Sequence, residues 1–147
     1  MSGFNFDVVC LQELHCVSEE EVKSWFPSFS AVVSVGSNKS GGVAVLFKPT
    51  FSLVEFVSDS SGRFICARLL HAGATFDVVL FYAPNLRADR LLFFPSLLPL
   101  LDSGVPTLLC GDFNSVMDPG RDRRNAGGQS VTDTSDVLVS LFHDLLC

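Results

Sequence analysis

Three apolar runs in this sequence end on residues suited to phosphate chemistry. "LQELH" places Glu13 and His15 after one run, "FYAPN" places Tyr82 and Asn85 after another, and "CGDFN" places Asp112 and Asn114 after a third. Residues just past the strand ends of a layered sheet converge on one rim. A glutamate and an aspartate there offer the hard oxygens that a divalent cation takes while keeping some of its waters. A tyrosine hydroxyl and two amides can hold phosphoryl oxygens without adding charge. Each feature also has a plain structural reading. Glu13 reads as a solvated strand terminus, Tyr82 as a rim aromatic, "APN" as a turn, and Asp112 and Asn114 as Asx turns. A solvent-facing turn has no use for Phe113 between Asp112 and Asn114, and that residue keeps the chemical reading open.

The elements that must position these residues follow from the apolar pattern. "FDVVCLQE" (6–13) is a continuous apolar run and predicts a strand buried on both faces. Ser18 with Glu21 forms a capping box, acidic residues fill the first turn, and Pro27 follows the end of a short helix. "SAVVSVG", "GGVAVLFKP", "FSLVEFV", "GRFICARLLH" and "TFDVVLFYAP" predict strands. The separators "SDSSG" and "HAGA" predict hairpin connections, and "SNKSGG" lacks the spacing of a phosphate-binding P-loop. "LRADRLLFFPSLLPLLDSG" predicts a helix kinked at Pro95, and Val105–Cys110 a strand. The polar loop "DPGRDRRNAGGQS" precedes a final helix with Val137, Leu138, Leu141, Phe142 and Leu145 on one face and His143 beside it in a structural place. The order is strand, helix, a run of mainly antiparallel strands, helix, strand, helix. It predicts an α/β fold in which packed sheets lie between outer helices.

The 147 residues suit one domain, and 48% hydrophobic content with 14 Phe supplies a core and excludes disorder. No run is long enough for a membrane span and no signal peptide is visible, so an intracellular protein is expected, in the nucleus or the cytoplasm. Five cysteines without a CxxC pair read as buried reduced thiols. A net charge of −6 argues against a free-standing nucleic-acid binder but leaves room for an enzyme that meets phosphates through a carboxylate-held metal.

Taken together and in order, "DVVCLQELH", "GGVAVLF", "FYAPN" and "LLCGDFNSVMD" resemble the endonuclease/exonuclease/phosphatase (DNase I-like) superfamily. The likeness is greatest to the apurinic-type endonuclease domain of LINE-type (non-LTR) retrotransposons, and it covers residues 6 to 146. The resemblance implies a four-layer α/β sandwich, present here in part: two packed mixed, mainly antiparallel sheets with outer helices. It implies that Glu13 binds Mg²⁺ or Mn²⁺, that Tyr82 positions the phosphate with Asn85 near it, that Asp112 activates the attacking water, and that Asn114 hydrogen-bonds the scissile phosphate. The reaction would be DNA nicking. The basic "RDRR" favours nucleic acid over lipid through Arg121 and Arg123, although a solvated loop reads the same way. The family pattern also begins with an asparagine-bearing strand and ends with an aspartate and a Ser-Asp-His stretch. These are not among the 147 residues, and neither Asn5 nor His143 replaces them. The expectation is one incomplete domain over 1–147, with impaired activity and with exposed sheet edges that favour self-association. A non-catalytic binding remnant and a phosphatase of the same superfamily are the rival readings.

Overall fold

The computed structural model describes residues 5–15, 17–37, 40–115 and 143. Arg121, Arg123, the loop that carries them and most of the expected final helix lie outside the described residues. The chain divides into two compact units, one of Met1–Tyr82 with Val105–Asp112 and one of Ala83–Gly104 with Phe113–Cys147.

The first unit holds two sheets and a helix. One sheet is antiparallel, with β1 (Val8–Leu11) and β2 (Ser30–Ser34) on either side of β3 (Val43–Phe47). The other is mixed, in the order β4 (Ser52–Ser58), β5 (Phe64–His71), β6 (Ala74–Tyr82), β7 (Thr107–Asp112), antiparallel except for the parallel β6–β7 pair. Helix α1 (Glu19–Trp25) begins where the sequence places its cap: the Ser18 side chain accepts from the Glu21 N–H at 3.2 Å.

The two-residue side-chain period of β3 builds the layers. Val43, Val45 and Phe47 enter a core shared with Ile65, Ala67 and Leu69 of β5 and Val78, Leu80 and Tyr82 of β6. Ala44 and Leu46 face the other way and pack with Val22 of α1. Both faces of β3 are therefore covered, which is why it reads as an unbroken apolar run. These are three successive layers of the expected sandwich: helix, sheet, sheet.

Two strand expectations change. The 6–13 run was expected to be buried on both faces, but β1 is half-buried, and among the described residues it pairs only with β3, as an edge strand. The strand expected over Val105–Cys110 instead spans Thr107–Asp112, because Gly111 carries no side chain to interrupt its pairing with Phe81. The hairpins follow the sequence. Ala72 and Gly73 link β5 to β6 with φ of 49° and 79°, the paired positive values of a type I′ turn.

In the second unit, α2 (Arg87–Leu101) is a continuous helix through Pro95 and Pro99, with Phe94 and Leu97 buried. No helix among the described residues is long and apolar enough to cross a membrane.

Candidate functional site

In the first unit, the antiparallel and parallel registers bring the C-terminal ends of β6 and β7 side by side, with Tyr82 in register with Asp112. Asp112 is exposed and Tyr82 is buried, its ring part of the inter-sheet core. Gly111 lies opposite Phe81. A Cβ on it would sit 2.2 Å from the Phe81 carbonyl oxygen and 2.9 Å from the Phe81 ring, so only glycine lets β7 approach this closely. The glycine of "GDFN" thus serves the strand that delivers Asp112.

The same Phe81 carbonyl accepts a hydrogen bond from Gln12 Nε2 at 2.8 Å. This bond fastens the end of β1 to the end of β6 and brings the backbone that carries Glu13 to the rim where Tyr82 and Asp112 end. Glu13 is exposed and adopts φ 56°, as does His15 with φ 45°. Positive φ at a non-glycine residue stores strain that the surroundings must hold. Here the following backbone is held by Leu14 N–H donating to the Gly42 carbonyl and His15 N–H to that of Gly41, each at 3.1 Å.

Arg63 frames Tyr82. Its carbonyl accepts from the Tyr82 N–H at 2.7 Å, its Nη1 donates to the Tyr82 carbonyl at 3.4 Å, and its guanidinium lies 5.1 Å over the phenol ring. The loop before Arg63 is tied by Asp59, whose Oδ1 accepts from the N–H groups of Arg63 and Phe64 at 2.8 and 3.0 Å. Ser34 Oγ, from the end of β2, donates to the Asp59 carbonyl at 2.6 Å. Gly62 closes the arrangement, since its Cβ would stand 2.5 Å from the Gly42 nitrogen. Sequence reasoning passed over Gln12, Asp59 and Arg63. "LQE" and "SDSSGR" contained them, but nothing local indicates which distant carbonyl or ring they reach.

The second unit holds the remaining candidates. Asn114, with φ 46°, donates through Nδ2 to the Ala83 carbonyl at 2.7 Å and to Asn85 Oδ1 at 3.1 Å. Arg90 of α2, buried, donates through Nη1 to the Pro84 carbonyl at 3.0 Å and also to that of Asn85. The "APN" stretch is thus tied down from two sides. Phe113 packs on Phe94 of α2 with ring centroids 6.1 Å apart, which accounts for an aromatic between Asp112 and Asn114.

Among the described residues no three His, Cys, Asp or Glu side chains gather as a metal cluster. Two carboxylates, Glu13 and Asp112, are a donor set that fits Mg²⁺, which binds through one or two carboxylates and retains several waters.

The sequence profile described as "Endonuclease/Exonuclease/phosphatase family" matches residues 1–144. A relative from Xenopus laevis, "Transposon TX1 uncharacterized 149 kDa protein", is 32% identical over 148 residues, covering 96% of this chain and 11% of that protein. Among solved structures, truncated TDP2 from Caenorhabditis elegans is similar at TM-score 0.60 and 15% identity, covering 82% of this chain and 54% of that one. D. rerio TDP2, complexed with single strand DNA product, is similar at TM-score 0.59 and 16% identity over 77% of this chain and 49% of that one. ANGEL2, a 2',3'-cyclic phosphatase, is similar at TM-score 0.56 and 19% identity over 75% and 40%. These likenesses show the same α/β sandwich fold. The chain spans about a tenth of the transposon protein and about half of the solved chains.

Proposed function

Because the chain belongs to the Endonuclease/Exonuclease/phosphatase family, we propose that it supplies part of the catalytic centre of a metal-dependent hydrolase that nicks DNA. Its transposon relative supports a retrotransposon setting, and DNA as partner agrees with the DNA product bound to one protein of the same fold. The observation that carries the reading is the register of Tyr82 with Asp112, together with the Gln12 bond that ties the Glu13 strand end to Phe81.

In this reading Glu13 holds Mg²⁺ or Mn²⁺. The ion, when bound, offsets the negative charge that builds on the phosphate as water attacks. Asp112 takes the proton of the attacking water, and its exposure at the strand end leaves it open to solvent and substrate. Tyr82, fixed by Arg63 through both backbone and ring, orients the phosphate. Asn114 and Asn85 act as a linked amide pair that serves the phosphate oxygens without adding charge. Arg121 and Arg123 are assigned to the DNA backbone on their charge alone.

The test is nicking of supercoiled plasmid with Mg²⁺ or Mn²⁺. The 147 residues alone are expected to give no detectable nicking, because the family's further site residues are not among them. Fusion to the flanking strands of an intact relative is expected to give nicking, and Asp112→Ala in that fusion to lower it about 10²- to 10⁴-fold. Robust, Asp112-dependent nicking by the 147 residues alone would overturn the impaired reading. A fusion that releases phosphate from small phosphomonoesters but leaves plasmid intact would move the assignment to a phosphatase. A binding role is the second reading, favoured by the apolar exposed residues of β4, an edge through which two copies could associate.

A further inference from the structure

Cys10 and Cys110 stand on the edge strands of different sheets, β1 and β7, and their Sγ atoms lie 3.5 Å apart. Both side chains pack against the inter-sheet core, and both residues are only half-buried, so the pair lies where the sandwich opens toward solvent. Nothing in the proposed hydrolysis uses either thiol. We propose that the two form an oxidation-sensitive site that closes into a disulfide stapling one sheet to the other.

The required movement is small. A disulfide needs sulfurs about 2.05 Å apart, so the pair must close by about 1.5 Å, within reach of side-chain rotation on strands already facing each other. With hydrogen peroxide as oxidant, the thiolate of one cysteine of the pair attacks one peroxide oxygen and the O–O bond breaks. Hydroxide leaves and takes up a proton, and that cysteine is now a sulfenic acid. The sulfur of the other cysteine then attacks it, the S–S bond forms, the S–O bond breaks, and the hydroxyl leaves as water with the second thiol's proton. The two thiols lose two electrons and the peroxide gains them. Cys66, on β5, is the third described cysteine; burial pushes its thiol up, and it serves as the internal comparison.

The cross-link lies close to the candidate carboxylates, since Glu13 follows Cys10 just past the end of β1 and Asp112 ends the strand that holds Cys110. It would fix the spacing of those two strand ends, a consequence that rests on the proposed function. The cross-link itself does not, and its test reads no activity.

The reduced 147-residue chain is treated with hydrogen peroxide, remaining thiols are alkylated, and the products are mapped by mass spectrometry. The expected product is an intramolecular link located by fragmentation at Cys10 and Cys110, with a loss of about two mass units that dithiothreitol reverses. The oxidised chain is expected to unfold at a midpoint higher by at least about 4 °C, because the link closes a long loop in the unfolded chain. Cys10→Ser and Cys110→Ser should each abolish both effects. Full alkylation of Cys10 and Cys110 at a peroxide concentration that oxidises Cys66 would overturn the proposal. So would a link to another cysteine or another chain, or a link at the expected pair that lowers the midpoint.

Discussion

The Phe81 carbonyl oxygen meets two constraints at once: it accepts the Gln12 side chain, and it leaves no space for a Cβ on Gly111. A backbone oxygen in mid-sheet cannot move aside as a flexible side chain does, so an added methyl group must push β7 away from β6. Gly111→Ala is expected to cost about 1 to 3 kcal/mol of stability, measured by urea unfolding, and to shift Asp112 relative to Tyr82. Gln12→Ala is a milder change. It removes one half-buried hydrogen bond, and about 1 kcal/mol is the expected loss. If Gly111→Ala unfolded at the wild-type urea concentration, the tight approach of the two strands would be wrong. At this scale the sequence was partly legible. The pattern Gly-Asp-Phe-Asn announced that something other than a turn was needed, and Phe113 on Phe94 is the reason an aromatic fits there. Gln12 was not legible, because its partner lies 69 residues away.

Among the elements, β5 and β6 carry the clearest energetic contrast. Arg68 makes a two-pronged contact with Asp77, Nε to Oδ1 at 2.8 Å and Nη2 to Oδ2 at 3.0 Å, and its Nη1 reaches Glu55 of β4 at 2.7 Å. Asp77 is 1% exposed, whereas the Glu55 side chain is 64% exposed. Taking the cation away from a buried carboxylate costs far more than taking it from one that water already solvates. Arg68→Met is therefore expected to destabilise the chain by about 3 to 5 kcal/mol, and Glu55→Gln by no more than about 1 kcal/mol. Equal losses in the two variants, read by chemical denaturation, would contradict this division. The hairpin between β5 and β6 was visible in "HAGA" because turn chemistry is local. The Arg68–Asp77 pairing was not, because it depends on the register that this turn sets.

For the whole molecule, the exposed apolar surface of β4 is the feature with consequences in solution. Val54, Phe56 and Val57 are each more than half exposed on a strand at the edge of its sheet. An edge strand with apolar side chains and open backbone groups is a template for pairing with another chain. The protein is expected to associate as its concentration rises, and Phe56→Lys to raise the concentration at which light scattering first reports particles larger than a monomer. A monodisperse monomer in wild type and variant alike, across that range, would rule out β4 as an associating edge.

The sequence by itself determined the alternation of elements, the Ser18 cap, the turn over Ala72 and Gly73, and the kinds of side chain that end the strands. Each of these rests on contacts within a few residues or on a periodicity of two that any strand displays. Tertiary structure decided the rest. A two-residue period says which residues share a face, but not which strand lies alongside or in what register. That β1 is an edge and β3 the central strand of its sheet follows from pairing, as does the placing of Tyr82 opposite Asp112, while packing covers both faces of β3. The meeting of Cys10 with Cys110 needs one thing more: the packing of one sheet on the other, which sets two sulfurs 100 residues apart in sequence at 3.5 Å.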